Sequence, residues 1–288
     1  TMAAILSTRM IRTLAGNGEP GCTGDGGPSM QGCLNEPKGV TVDCHGNVYV
    51  ADSENHLVRK VDRATGMLST VAGTFGGEHL HAAVQRDAPV PLTDEDPLAD
   101  DAGERSPAKF TQHADVSGTV RYWTNHTATS SKRYGGDGGP AVSAHLNFPT
   151  AVVVDREGNL YIADTMNHRV RMVDSKTGIM STVAGTGQAR FSGDGGPANQ
   201  AALNEPAALA VDDEGRLYIA DQSNHRVRMV DLKTGVIQTI AGNGIATYDG
   251  DGKRAIDTAL AGPSRLALVA DRLYVADTFN GRVRCVEL

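Results

Sequence analysis

The chain has 288 residues, a net charge of −7 at pH 7 and a pI near 5.7, so it lacks the basic field that a nucleic acid or an anionic membrane would require. No apolar run approaches the length of a membrane span, and the opening TMAAILSTRM is too short and polar for a signal peptide, so a targeting segment is expected upstream of it if anywhere. Glycine is abundant at 34 residues and aromatics reach only 5%, a balance that suits short strands joined by glycine-rich turns.

In chain order, MIRTLAG (10–16) comes first and the loop 17–37, which carries GDGGP, follows. PKGVTVD (37–43) is a short apolar strand after proline. Next come the turn CHGN and NVYVADSENHLVRKVD (47–62), two strands around a polar loop, and then MLSTVAG (67–73). The same succession returns with PTAVVVD (149–155), NLYIADTMNHRVRMVD (159–174) and IMSTVAG (179–185). It returns again with PAALAVD (206–212), RLYIADQSNHRVRMVD (216–231) and VIQTIAG (236–242), and a last time with PSRLALVA (263–270) and RLYVADTFNGRVRCVE (272–287). The Asp of the AD pair falls at 52, 164, 221 and 277, in steps of 112, 57 and 56 residues. Four short β-rich runs per unit, separated by Gly, Asp and Asn turns, predict an all-β chain folded as one closed β-propeller over 1–288, with four clear four-stranded blades.

The last unit stops at VRCVEL without a fourth strand, and MIRTLAG matches VIQTIAG. The N-terminal segment is therefore expected to complete the last blade and to remove an exposed sheet edge. Between the first and second units, residues 75–133 break the pattern. They hold the acidic, proline-bearing PLTDEDPLADDAGERSP (91–107) and the alternating AKFTQHADVSGTVRYWTNHTATSS (108–131). A loop insertion and a degenerate fifth blade both fit.

Cys22 and Cys33 arise in one repeat, where the other copies hold Tyr134, Phe191 and Tyr248 in the first place and His145, Ala202 and Ala259 beside the second. They are expected to form a local disulfide, which together with the sequon Asn125-His126-Thr127 tilts the reading toward a secreted or luminal protein. Cys44 and Cys285 have no evident mate.

The VD–GNxYxAD–NHRVRxVD core, with NHL itself at Asn55-His56-Leu57, resembles the NHL-repeat β-propellers over most of the chain apart from the 75–134 stretch. The resemblance implies a toroidal propeller and, most often, a protein- or RNA-interaction module. It also implies related enzymes, an amidating lyase and lactone- or sugar-processing propellers, that hold a metal at the central channel.

Chemistry follows from counting copies. The sets Asp52/Asn55/Arg59, Asp164/Asn167/Arg171, Asp221/Asn224/Arg228 and Asp277/Asn280/Arg284 recur in every unit, whereas an active site needs one copy, so they are read as a structural network. His56, His168 and His225 belong with them, and Gly281 shows that one unit manages without imidazole. Asp25, Asp137, Asp194 and Asp251 of the GDGGP loops form turns. DGDG (249–252) is faintly like the start of a calcium loop but lacks its later acidic ligands, so no cofactor is expected and calcium is the one candidate. Asp43, Asp155 and Asp212 close three innermost strands as turn residues. The channel positions Gly39, Thr41, Ala151, Val153, Ala208, Ala210, Arg265 and Ala267 include no metal ligand, and His79, His81, His113 and His126 show no ligand spacing.

The reading is a non-catalytic binding or scaffold module for a protein partner, with no nucleic acid, no membrane span and no metal site. Its contact surface is the loop face carrying Asp25, Asp137, Asp194 and Asp251 with Arg265, Tyr122 and Trp123. The alternative is a metal-dependent propeller hydrolase or lyase acting at the central channel.

Overall fold

The computed structural model describes residues 11–75 and 134–288, together with the strands Gln112–Ala114 and Val120–Tyr122. The chain divides into two compact units, one made of residues 1–75 and 133–288 and the other of residues 76–132.

The larger unit is all-β and holds four blades of a β-propeller, each an antiparallel sheet in simple up-and-down order. The first contains β1 (Pro37–Val42), β2 (Val48–Asp52), β3 (Leu57–Val61) and β4 (Leu68–Ala72). In the smaller unit, β5 (Gln112–Ala114) and β6 (Val120–Tyr122) form a sheet of their own. The second blade contains β7 (Pro149–Val154), β8 (Leu160–Asp164), β9 (Arg169–Val173) and β10 (Met180–Ala184). The third contains β11 (Pro206–Val211), β12 (Arg216–Asp221), β13 (Arg226–Asp231) and β14 (Val236–Ala241). The fourth contains β15 (Pro263–Val269), β16 (Arg272–Asp277) and β17 (Arg282–Glu287). Each innermost strand opens on proline, which has no N–H to give to a ladder and so suits a strand start.

Alternation along β2, β8, β12 and β16 gives every blade two apolar faces. One carries the Tyr of the LYIAD strand and the other its Leu or Ile. The Tyr49, Ala51 and Val58 face of the first blade packs on Val152, Leu160, Ile162 and Met180 of the second. Tyr161, Ala163 and Val170 of the second pack on Leu209, Leu217, Ile219 and Ile237 of the third. Tyr218 and Val227 of the third pack on Leu260, Leu273 and Val275 of the fourth. The sheets are therefore stacked Tyr face against Leu face. The glycine that ends each complete blade ties it to the next, Gly73, Gly185 and Gly242 donating their N–H to Ala141, Ala198 and Ala255 O. The first and second blades share an apolar core directly, although 57 residues separate Phe75 from Arg133 in sequence.

At its two ends the structure departs from expectation. Among the described residues the fourth sheet has three strands, and Ile11–Gly16 forms none. The expected N-terminal strand on β17 is thus not formed by residues 11–16, and Met10 lies outside the described residues. The segment is held by the first blade instead, with Gly16 N–H donating to Ser29 O and Ser29 Oγ to Leu14 O.

Candidate functional site

In each blade the loop after the second strand is a single 3₁₀ turn, Ser53–Asn55, Thr165–Asn167, Gln222–Asn224 or Thr278–Asn280. It ends on a residue in the left-handed region. The turn returns the chain to the third strand so that Asp, Asn and Arg converge. In the second blade Asp164 accepts from Asn147 N–H at 2.7 Å, from Asn167 Nδ2 at 2.9 Å and from Arg171 Nη1 at 3.3 Å. Asp164 and Arg171 are both fully buried. Burial pushes the Asp164 carboxyl up to about 6, against the pull of the Asn147 and Asn167 hydrogen bonds and the Arg171 charge. Asp221 in the third blade is also pushed up to about 6, and Asp52 in the first is raised, in each case chiefly by burial.

The GDGGP carboxylate, itself partly exposed, reaches the same guanidinium from the surface. Arg171 donates to Asp137 through Nε and Nη2, and Arg228 donates to Asp194 likewise. Asp137 also accepts from Thr182 Oγ1 and Tyr134 OH. Burial would raise the Asp137 carboxyl, but those hydrogen bonds and Arg171 outweigh it and hold the group below the ordinary carboxylate range. The remaining guanidinium hydrogens meet the loop carbonyls of Gly135 and His145. The predicted network is therefore larger than the sequence indicated, because it absorbs the four residues read as loop-face contacts. Asp25 pairs with Arg59 at 2.7 Å and Asp251 with Arg284 at 2.8 Å.

A further layer was not read from the sequence. The aromatic residue three places before each GDGGP Asp lies under two arginines. Tyr134 stacks on Arg169 (3.6 Å) and Arg171 (4.8 Å), Phe191 on Arg226 (3.7 Å) and Arg228 (4.8 Å), and Tyr248 on Arg282 (3.7 Å) and Arg284 (5.3 Å). These are cation–π contacts. In the first blade both partners change together, Cys22 standing for the aromatic residue and Leu57 for the outer arginine. Arg59 Nε there is buried without a hydrogen-bond partner. The linked loss was visible in the repeat alignment as Cys22 opposite Leu57.

The histidines join blades. His56, His168 and His225 adopt φ of 58°, 52° and 55°, and each Nδ1 accepts the backbone N–H of Phe148, Glu205 or Gly262 in the next blade. Burial, first of all, lowers the basicity of His168 and His225, consistent with a neutral ring acting as acceptor. Gly281 holds the same backbone conformation at φ 61°.

Asp43, Asp155 and Asp212 behave as turn residues, accepting from the main chain four residues on and from Tyr49, Tyr161 and Tyr218. The Tyr49 and Tyr218 hydroxyls are pushed up to about 12, chiefly by burial and then by these carboxylates. Arg265 is exposed and its Nη1 donates to the neighbouring Ser264 O. Tyr122 ends β6, while Trp123, His79, His81, His126 and Asn125 lie outside the described residues.

The Cys22–Cys33 bridge is not formed. Both are free thiols, and Cys33 Sγ instead accepts from Thr23 Oγ1 and Asn17 Nδ2. Their carbonyls both accept from Arg59 Nη1, at 3.5 and 3.4 Å, so the backbone of both residues faces the guanidinium. Among the described residues no three His, Cys, Asp or Glu side chains come together as a metal set, at DGDG or elsewhere. Among the described residues no helix is long and apolar enough to cross a membrane.

The sequence model of the NHL repeat matches residues 34–61, the stretch holding Asp52, Asn55 and Arg59. That of the teneurin NHL domain matches residues 119–192 and 187–247. The chain is 28% identical over 240 residues to Protein SUPPRESSOR OF QUENCHING 1, chloroplastic, of Arabidopsis thaliana, covering 78% of this chain and 22% of that protein. It is 27% identical to NHL repeat-containing protein 2 of Gallus gallus, covering 67% and 20%, and 27% identical to Teneurin-4 of Homo sapiens, covering 72% and 8%. It thus spans about a fifth or less of these relatives. Among solved structures, an auxiliary nutrient binding protein of Bacteroides ovatus aligns over 88% of this chain and 59% of its own, at a TM-score of 0.45 and 20% identity. A streptogramin B lyase aligns over 88% and 55%, at a TM-score of 0.41 and 10% identity. With the repeated Asp–Asn–Arg hub and the stacked antiparallel sheets, the sequence matches lead to one conclusion: this chain belongs to the NHL-repeat β-propeller family.

Proposed function

We propose that the chain is a non-catalytic interaction module that presents a protein-binding surface on the loop side of a rigid propeller. One observation carries this reading. The polar residues that recur in every blade, which would be the raw material of a catalytic centre, are consumed in holding the blade together, as Arg171 is by Asp164, Asp137 and two carbonyls. What varies between blades is loop sequence, above all the residues between Phe75 and Arg133, and loops on a rigid frame are where binding specificity is carried.

Excision of residues 76–132 tests the proposal. The first and second blades already meet through Gly73, Ala141 and a shared apolar core, so the shortened chain is expected to keep its thermal midpoint and β-sheet circular dichroism. Partner proteins captured by the full chain and identified by mass spectrometry should be absent from the shortened one. Equal capture by both chains, or a stoichiometric metal that survives dialysis, would overturn the reading.

A further inference from the structure

In each of the first three blades the fourth strand lies between the third strand and the GDGGP loop, whose backbone clasps it. Gly26 N–H donates to Leu68 O at 2.8 Å and Leu68 N–H to Gly27 O at 2.9 Å. The same reciprocal pair joins Gly138, Met180 and Gly139, and again Gly195, Ile237 and Gly196. The fourth blade repeats the arrangement, with β17 on one side and Gly252 and Lys253 on the other, but among its described residues no strand lies between them. The result is a groove of about 450 Å³ lined by Gly252, Lys253, Leu260, Val283 and Cys285.

The faces at the two ends of the stack are likewise uncovered. Val283 is 74% exposed where its counterparts Val58, Val170 and Val227 are 0%, and Val40 is 68% exposed where Val152 is 2%. One is a Tyr-type face and the other a Leu-type face, the same two kinds that pack together at all three junctions inside the chain. The segment that would fill the groove is also present. Residues 11–16, IRTLAG, match 237–242, IQTIAG. Gly16 donates to Ser29 O just as Gly73, Gly185 and Gly242 donate to the blades that follow them. Ile11 is 99% exposed, whereas its counterpart Ile237 is 0%.

We propose that two copies of this chain associate head to tail, with Ile11–Gly16 of one copy adding the fourth strand to the last blade of the other. Backbone pairing along β17 supplies affinity, and the buried side of the added strand supplies register. Exchange of an identical element is a low-cost route to such an assembly, and a head-to-tail contact closes as a ring or extends as a filament according to its rotation.

The register follows from the third blade, where Met229 pairs with Gln238, so Arg12 of one copy falls opposite Cys285 of the other. In a chain with Cys22, Cys33 and Cys44 changed to alanine, Arg12→Cys is oxidised and run on a non-reducing gel. Bands at two or more chain masses are expected. A disulfide confined to a single chain, showing that the stack closes on itself, would overturn the proposal, as would the absence of any bond. Light scattering on the unmodified chain gives an independent reading. At least twice the 30.2 kDa chain mass is expected, falling to one chain mass in Val283→Asp, and a monomeric unmodified chain would refute the association.

Discussion

His225 Nδ1 accepts the backbone N–H of Gly262 at 3.1 Å, and this bond joins the third blade to the fourth. The residue meets two demands at once. Its backbone sits at φ 55°, in a region disfavoured for side chains with a β-carbon, while its ring reaches across a junction whose remaining contacts are largely apolar.

The two demands can be separated by substitution. His225→Gly keeps the backbone comfortable and leaves the Gly262 N–H without its acceptor, which should cost about 1–2 kcal/mol. His225→Val loses the same bond and forces a β-branched residue into the left-handed region, for about 1–2 kcal/mol more. Urea denaturation should rank wild type above Gly and Gly above Val; equal losses would mean that the backbone conformation is not constraining.

A pH dependence follows from Asp164 and Asp221, whose carboxyls burial pushes up to about 6. The unfolded carboxylates titrate near 3.9, so between about pH 4 and 6 the folded chain holds protons that the unfolded chain has released. Stability from these groups therefore falls as pH rises through that window and is level above it. Carboxyl carbon NMR should show both midpoints near 6, and Asp164→Asn with Asp221→Asn should flatten the slope of unfolding free energy between pH 4 and 6.

Arg171 should be costly to remove. Arg171→Met strands the buried Asp164 and takes the cation from Asp137, an uncompensated burial worth about 3–5 kcal/mol. Arg284→Met should cost less, because the Arg284 side chain is 13% exposed where that of Arg171 is fully buried. Thermal and urea unfolding of the two variants should separate them clearly, and equal losses would argue against burial as the cause.

The first blade can be given the layer it lacks. Cys22→Tyr with Leu57→Arg should rebuild the stack that Tyr134 and Arg169 make in the second blade. The pair should be favourable together by about 0.5–1 kcal/mol beyond the sum of the single changes, in a double-mutant cycle. A purely additive cycle would show that the two positions do not communicate.

Repetition made the framework readable in the sequence. Four in-phase copies of the Asp–Asn–Arg pattern located the strands, and the number of copies marked the pattern as structural. The same counting did not show that Asp25, Asp137, Asp194 and Asp251 each pair with the arginine of their blade while staying partly exposed, because a glycine-flanked Asp reads equally well as an unpaired turn. Only the approach of Arg171 across 34 residues reveals the partner. Cys22 and Cys33 misled for a related reason. Proximity in a loop suggested a bond, whereas the loop in fact turns both carbonyls onto Arg59 and leaves the Cys33 thiol bonded to Thr23 and Asn17. The gap beside β17 was half legible: VRCVEL stops short of a fourth strand, but the matching MIRTLAG did not show that residues 11–16 lie against the first blade.

The hub of Arg171 draws its hydrogen-bond and stacking partners from residues 134–171, within a single unit. A unit that satisfies its own buried charge can be duplicated or lost whole by recombination, because a newly created neighbour has to offer only an apolar face and a few main-chain N–H and C=O groups. Lineages built on this plan are thus free to vary in blade number, while point changes inside the hub stay under tight selection.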